Sequence, residues 1–261
     1  MFPLRDDIPT ESVPIVNYAI IIACALVFFA GTAAPDGGER MVFEYGMTPA
    51  RVTGLPPTAL PAPPPGHPEA GFPPFDELPP PAVSPWLTLF TCMFLHGGLM
   101  HIVGNMWFLY IFGDNVEDRY GHLGYALMYL GSGLAAGVLH ILSSPASPIP
   151  TVGASGAIAG VMGAYLVMFR HARVMTLIPL GIFTQLIAVP APFFLGLWFV
   201  FQLLSAAGSD GVGGGVAWWA HVGGFLAGVL VTWLLGLAGR VPVGYAREHS
   251  PAAWQRRKMP W

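Results

Sequence analysis

Charged side chains are scarce in this chain of 261 residues: Asp, Glu, Lys and Arg make up 10%, whereas 54% of the residues are hydrophobic. A soluble domain carries about 25% charged residues. The mean hydropathy of +0.60 and several apolar runs close to the length of about 20 residues that crosses a bilayer as a helix predict a multi-pass integral membrane protein. The net charge of −3 gives no indication of a nucleic-acid partner, and we expect none.

Cysteine is also scarce, and neither Cys24 nor Cys92 lies in a CxxC context. This disfavours a disulfide framework, a cysteine zinc site and a reactive thiol. The HExxH motif of zinc proteases is missing. Acidic residues, which an aspartyl protease or a cation path would need inside the membrane, are missing from the apolar runs as well. We expect no metal and no cofactor.

Six apolar segments are predicted to be transmembrane helices, and together they indicate an all-α polytopic membrane fold. They cover residues 15–32, 98–112, 123–142, 155–169, 190–207 and 217–237. A further apolar stretch, 174–188, contains Pro179, Gly181 and Gln185 and is shorter than the roughly 20 residues that a transmembrane helix needs. We interpret that stretch as interfacial.

The membrane domain is thus predicted over residues 15–237, between a cytoplasmic N-terminal segment, 1–14, and a basic cytoplasmic tail, 238–261. It includes a long first outer loop, 33–85, in which proline is dense. Such a composition predicts an irregular middle for this loop.

The distribution of positive charge gives the orientation. Of the 11 Lys and Arg residues, only Arg40 and Arg51 lie in a loop on the side opposite the termini. Loops rich in Lys and Arg stay in the cytoplasm. Both termini are therefore predicted to be cytoplasmic.

Ser155, His221, His101 and Asn105 are among the polar residues inside these apolar segments, where polar groups are costly and usually functional. A helical rise of about 1.5 Å per residue, counted from the cytoplasmic end of each segment, places Ser155, His221 and His101 at a similar depth and Asn105 one turn deeper. A serine becomes nucleophilic when a nearby base takes its proton, and His221 can be that base. His101, Asn105 and the Ser155 backbone N–H are candidate oxyanion donors. With no acidic residue at this depth, we predict a dyad and not a triad.

Small residues follow the serine and the histidine at helical spacing. They are Ala159 and Gly163 on the serine segment and Gly224 and Gly228 on the histidine segment. Small side chains let membrane helices approach closely. We therefore predict that these two helices pack together and bring the hydroxyl to the imidazole.

Three motifs in this order resemble the rhomboid family of intramembrane serine proteases: HGGLMHIVGN at 96–105, GASG at 153–156 and AHVGG at 220–224. The segments PLRDD at 3–7, MFL at 93–95 and EDRYG at 117–121 are similar to bacterial members of the family. The resemblance implies a serine endopeptidase of the bacterial inner membrane. Its partners would be the lipid bilayer and transmembrane segments of other proteins, which enter the site laterally and are cleaved near their outer ends without metal or ATP.

The resemblance also implies roles for individual residues. Ser155 would be the nucleophile and His221 the general base. His101 and Asn105 would be the oxyanion donors. Gly153 would shape the loop before the serine, and His96 would support this region.

This chain departs from the family at two places. Some members carry an aromatic residue four positions after the nucleophile, where it stacks on the base histidine; here that residue is Ala159. The imidazole must therefore be held by other packing. In the first loop, Trp86-Leu87 stands where some members have a Trp-Arg pair. This difference affects how the loop would be anchored in the membrane, and it leaves the expected catalytic residues unchanged.

Two other functions stay open. A non-catalytic rhomboid-like protein would bind unstable transmembrane segments, and the expected mark of such a protein is loss of the serine or the histidine. A metal or proton transporter could use His96, His101 and His221, but the first two are about 140° apart around a helix and acidic partners are missing. His122, His140, His171 and His249 are interpreted as boundary or tail residues.

Overall fold

Long apolar helices make up most of the computed structural model, which describes residues 2–59, 74–180, 183–208 and 216–243. The Pro-rich middle of the first loop, residues 209–215 and most of the basic tail lie outside these ranges. In chain order the elements are strand β1 (Phe2–Asp6), helices α1 (Ile15–Thr32), α2 (Glu39–Tyr45), α3 (Pro49–Thr53) and α4 (Thr88–Thr91), a 3₁₀ turn (Cys92–Phe94), helices α5 (Leu99–Ser143) and α6 (Ser155–Met168), strands β2 (Arg173–Leu180) and β3 (Phe183–Pro190), and helices α7 (Ala191–Gly208) and α8 (Trp218–Leu237).

Helices α1, α5, α7 and α8 are long and apolar enough to cross a membrane, so the chain is an integral membrane protein. Helix α5 has 45 residues, about 68 Å, more than twice the hydrocarbon core of about 30 Å. The backbone leaves the helical region at Gly121, where φ is 69° and ψ is 165°, which divides α5 into two segments. Helix α6, with 14 residues, is about 21 Å long. It packs against α5 and α8.

The predicted first segment has the bounds of α1, and those of the last three segments differ from α6, α7 and α8 by one residue. The predicted end of the second segment at residue 112 is wrong, because the helix continues to Gly121. The acidic residues after position 112 are part of this helix, and Glu117 faces the start of α1. Glu117 accepts hydrogen bonds from the backbone N–H groups of Val16 and Asn17, at 2.9 and 2.8 Å. These donors lie in the first turn of α1, which has no intrahelical acceptors for them.

The all-α prediction is wrong in one part, because β1, β2 and β3 form a three-stranded antiparallel sheet. The described residues of the stretch 174–188 lie in the antiparallel pair of β2 and β3, with Val174 opposite Val189 and Thr176 opposite Ile187. Val174 and Thr176 are buried, and the intervening Met175 is half-buried. This two-residue period indicates a strand, but mean hydropathy does not distinguish it from a helix. The interfacial position of this stretch stays a prediction.

Strand β1 carries a buried carboxyl group into the helix bundle. The Asp6 Oδ2 accepts hydrogen bonds from the Tyr165 hydroxyl at 2.6 Å and from the Asn115 amide at 2.7 Å. Burial raises the pKa of Asp6 from 3.8 to about 8, and the hydrogen bond from Tyr165 offsets only part of this effect. Asp6 is therefore mostly protonated at neutral pH in the folded protein.

Replacing Asp6 with Asn should remove a pH dependence of stability. The raised pKa means that the folded state binds this proton more tightly than the unfolded chain. The stabilisation that the Asp6 proton gives to the folded state is therefore complete below about pH 4 and is lost as the pH rises to about 8. Thermal unfolding in detergent across this interval should show the wild-type midpoint falling relative to that of Asp6→Asn. Asp7→Asn, on the adjacent and less buried residue, is the control, and equal pH slopes for wild type and Asp6→Asn would contradict the expectation.

Helices α6 and α8 approach through glycine backbones. A β-carbon at Gly224 would lie 1.9 Å from the Gly156 carbonyl oxygen, and one at Gly228 would lie 1.9 Å from that of Gly160. A β-carbon at Gly163 would lie 2.3 Å from the carbonyl oxygen of Phe225. Close packing at Gly163, Gly224 and Gly228 therefore agrees with the prediction. Ala159 is fully buried, but the glycines of α6 that face Gly224 and Gly228 are each one position away from the predicted stripe.

Gly228→Ala should destabilise the protein, because the added methyl group has to push two backbones apart. Overpacking of this kind costs about 1–3 kcal/mol. Gly131→Ala is a matched control, since a β-carbon on this α5 glycine would meet no atom within 4 Å. That control should gain up to about 1 kcal/mol by removing a helical glycine. Opposite shifts of the unfolding midpoint are expected, and shifts of equal sign and size would refute the close contact.

Candidate functional site

The serine and the histidine selected from the sequence meet in the structure. Ser155 is the first residue of α6, and its Oγ lies 2.8 Å from Nε2 of His221 on α8. The histidine side chain is nearly enclosed, with 8% of the residue exposed, whereas Ser155 is half-buried. The contact has the geometry that a base needs to take a hydroxyl proton.

The other ring nitrogen of His221 has a partner that the sequence analysis missed. Its Nδ1 lies 2.7 Å from Oε1 of Gln202, a buried residue of α7. A glutamine in the apolar segment 190–207 is itself a signal, because buried polar groups in membrane helices need partners. The analysis applied that rule only to the serine, the histidines and the asparagine.

Two tryptophan rings lie next to the imidazole of His221. The ring centroid of Trp198 on α7 lies 6.0 Å from that of His221, with a 34° angle between the planes. Trp218 on α8 makes an edge contact at the same centroid distance. Ala159 stands where some family members carry a stacking aromatic residue, and in this structure Trp198 and Trp218 contact the ring.

His101 and Asn105 lie on the first turns of α5 and face the loop before the serine. A β-carbon at Gly153 would lie 2.7 Å from His101 Nε2 and 3.6 Å from Asn105 Nδ2. The Asn105 Nδ2 is buried and has no hydrogen-bond partner among the described residues. Gly153 has a φ of 127°, which L side chains rarely adopt. Its N–H donates to the Cys92 carbonyl oxygen at 2.8 Å.

His96 packs behind His101, with their ring centroids 5.2 Å apart in an edge contact. Burial, together with the neighbouring His101, lowers the pKa of His96 to about 4, so it is neutral at physiological pH. Within the described ranges, no cluster of three or more His, Cys, Asp or Glu side chains is placed to hold a metal ion.

A cavity of about 840 Å³ connects these groups, and its lining includes Ser155, His221, His101, Asn105 and Gln202. Ligand sites enclose about 300–1,000 Å³, so this one has room for an extended peptide segment. His140 also lines the cavity, and its Nε2 lies 2.9 Å from the Thr151 hydroxyl. The interpretation of His140 as a boundary residue missed this position. Spacing from Ser155 could not reveal it, because the contact depends on how the loop between α5 and α6 places Thr151 against α5.

The start of α6 adds an electrostatic component. Ser155 and Gly156 lie in the first turn, where the backbone N–H groups have no intrahelical acceptor and the helix dipole favours negative charge. Together with the donors of His101 and Asn105, this arrangement is suited to activate a hydroxyl and to stabilise an oxyanion next to it.

The family model described as "Rhomboid domain" matches residues 84–238, more than half of the chain. The chain belongs to the rhomboid family. The match covers α5 to α8 and the site, and it starts after α1 and the Pro-rich part of the first loop.

Several rhomboid proteins are similar to this chain. RHOMBOID-like protein 6, mitochondrial, of Arabidopsis thaliana is 44% identical over 78 residues, which are 30% of this chain and 25% of that protein. Rhomboid protease GluP of Bacillus subtilis is 33% identical over 156 residues, 60% of this chain and 27% of that protein. Rhomboid-like protein 11, chloroplastic, of Arabidopsis thaliana is 31% identical over 158 residues, 58% of this chain and 52% of that protein. The chain thus spans a quarter to a half of the length of these rhomboid relatives.

Gly153→Ala should slow covalent modification of Ser155 by a fluorophosphonate. The substitution forces an unfavourable φ and drives a methyl group into the His101 ring. Loss of one oxyanion donor costs about 10²–10³ in rate, so a decrease of at least tenfold is expected. Gly98→Ala is the control, because Gly98 has an extended backbone with φ of 169° and open space around it. Equal labelling rates for the two variants would contradict the proposed packing of His101 on Gly153.

Proposed function

We propose that this chain is an intramembrane serine endopeptidase that cleaves transmembrane segments of other membrane proteins. The observation that carries the proposal is the 2.8 Å contact between Ser155 Oγ and His221 Nε2, made between two membrane helices inside a large cavity. The name of the Bacillus relative, a rhomboid protease, supports the same activity.

In the proposed reaction, His221 Nε2 takes the Ser155 proton as Oγ attacks the scissile carbonyl carbon. The oxyanion of the tetrahedral intermediate accepts hydrogen bonds from His101, Asn105 and the Ser155 backbone N–H. The C–N bond then breaks, and the imidazolium returns its proton to the leaving amine, which leaves an acyl-enzyme. A water molecule, deprotonated by His221, attacks the ester carbonyl, and the proton passes back to Ser155 as the acid product leaves.

The six-span topology is part of the proposal. Helix α5 supplies two spans, joined at Gly121, and α6 is a short span that begins below the outer edge of the bilayer. With α1, α7 and α8 these make six, with both termini cytoplasmic, in a bacterial inner membrane. Because α6 is only about 21 Å long, the serine at its outer end lies inside the membrane, where a transmembrane substrate can reach it.

Substrate entry is proposed between the first segment of α5 and α7. The outer surface of α7 exposes large apolar side chains, among them Phe193 and Phe201 with 58% and 60% exposure. These side chains are compatible with contact to lipid or to a substrate helix. His101, Asn105, Trp198 and Gln202, the site residues of these two helices, all line the cavity.

A fluorophosphonate should label Ser155 in the purified, detergent-solubilised protein. Ser155→Ala should abolish the labelling. His221→Ala should nearly abolish it, because loss of the base in a soluble serine protease costs about 10⁶ in kcat. Ser144→Ala, at a serine that lines the same cavity, should label like wild type. The modified residue is identified by mass spectrometry of the digested protein.

Cleavage is then tested in proteoliposomes with a model transmembrane substrate, and the products are mapped by mass spectrometry. Cuts within the transmembrane segment that require Ser155 are expected. If the folded wild type neither reacts with a second small electrophile nor cleaves the substrate but still retains it, the protein is a non-catalytic binder of transmembrane segments.

A further inference from the structure

We propose that Gln202 is a positioning residue for the general base: its amide oxygen accepts the Nδ1 hydrogen of His221 and thereby keeps Nε2 free to take the proton of Ser155. This inference rests on the proposed function and deepens it. It adds a third member, carried by α7, to the predicted pair of α6 and α8.

The geometry places the two partners of the imidazole on its two nitrogens. Gln202 Oε1 lies 2.7 Å from Nδ1, and Ser155 Oγ lies 2.8 Å from Nε2. Gln202 is only 4% exposed, so little water competes for its oxygen. The same two residues are the hydrogen-bond partners of the His221 ring among the described residues.

A neutral imidazole carries one N–H, and the position of that hydrogen decides whether it can act as a base. With the hydrogen on Nε2, the ring would donate to the serine and could not accept its proton. An acceptor at Nδ1 favours the tautomer with a lone pair on Nε2. In soluble serine proteases a buried aspartate has this role.

A glutamine can supply the acceptor without a charge. A carboxylate buried between membrane helices would lose its hydration, which costs several kcal/mol per ion, whereas an amide oxygen loses much less. Orientation of the amide is decisive, because its NH₂ group would donate to Nδ1 and leave the hydrogen on Nε2. In the structure it is the oxygen that faces the ring.

Helix α7 presents two contacts to the imidazole from one face. Trp198 lies four residues before Gln202, so both side chains project from the same side of the helix. The tryptophan packs on the ring, and the glutamine hydrogen-bonds to its edge. Together they set both the plane and the rotation of the base.

The test compares Gln202→Met, which keeps the length of the side chain but has no amide acceptor, with Gln202→Glu, which restores an acceptor oxygen. Full-length proteins with ¹⁵N-labelled histidine are examined in detergent by NMR, and the His221 signal is assigned by its loss in His221→Ala. Wild type and Gln202→Glu should show hydrogen on Nδ1, and Gln202→Met should shift toward the Nε2–H form. Fluorophosphonate labelling of Ser155 should fall about tenfold in Gln202→Met, the effect of one neutral hydrogen bond, and should recover in Gln202→Glu.

Phe199→Leu is the matched structural control, because Phe199 stacks on Phe225 of α8 at a centroid distance of 4.5 Å. It should lower the unfolding temperature without changing the His221 tautomer. If wild type labels at Ser155 while Gln202→Met keeps the tautomer and the labelling rate, Gln202 has no positioning role and only this inference is overturned. If wild type does not label at all, the proposed function is overturned, and this inference with it.

Discussion

The close approach of α6 and α8 is the contact on which the site depends. Glycine carbonyls of α6 occupy the space that β-carbons at Gly224 and Gly228 would fill. Since His221 lies three residues before Gly224, the same contact sets its distance to Ser155. Dispersion contacts and small side chains drive such packing in lipid, where burial of apolar surface between helices gains little. The glycines therefore affect the proposed site through the distance between the two helices, without contacting Ser155 Oγ or the His221 ring.

Around this contact, the site is built largely from neutral groups. Serine, histidine, asparagine and glutamine side chains line the cavity, and tryptophan rings pack on the base. A membrane interior penalises isolated charge far more than a hydrogen-bonded neutral polar group. In the proposed reaction, charge would therefore appear only transiently, next to donors that are already in place.

The small sheet lies next to the helices of the site in the chain and contacts them. Strands β2 and β3 lie between α6 and α7 in the sequence, and β1 pairs with β2. Asp6, at the end of β1, bonds to Tyr165 of α6 and Asn115 of α5. The N-terminal residues thus tie together α5 and α6, which carry the predicted oxyanion donors and the serine.

Much of this structure could be predicted from the sequence, because hydropathy and helical spacing are local properties. They determined the bounds of α1, the near-exact limits of α6, α7 and α8, and the facing of Ser155 and His221. Hydropathy could not distinguish strand from helix in 174–188, because that choice depends on pairing between β2 and β3 and between β2 and β1, which is more than 160 residues away. The partners of Gln202, Trp198 and His140 likewise required the tertiary structure, since packing between different segments decides which side chains meet.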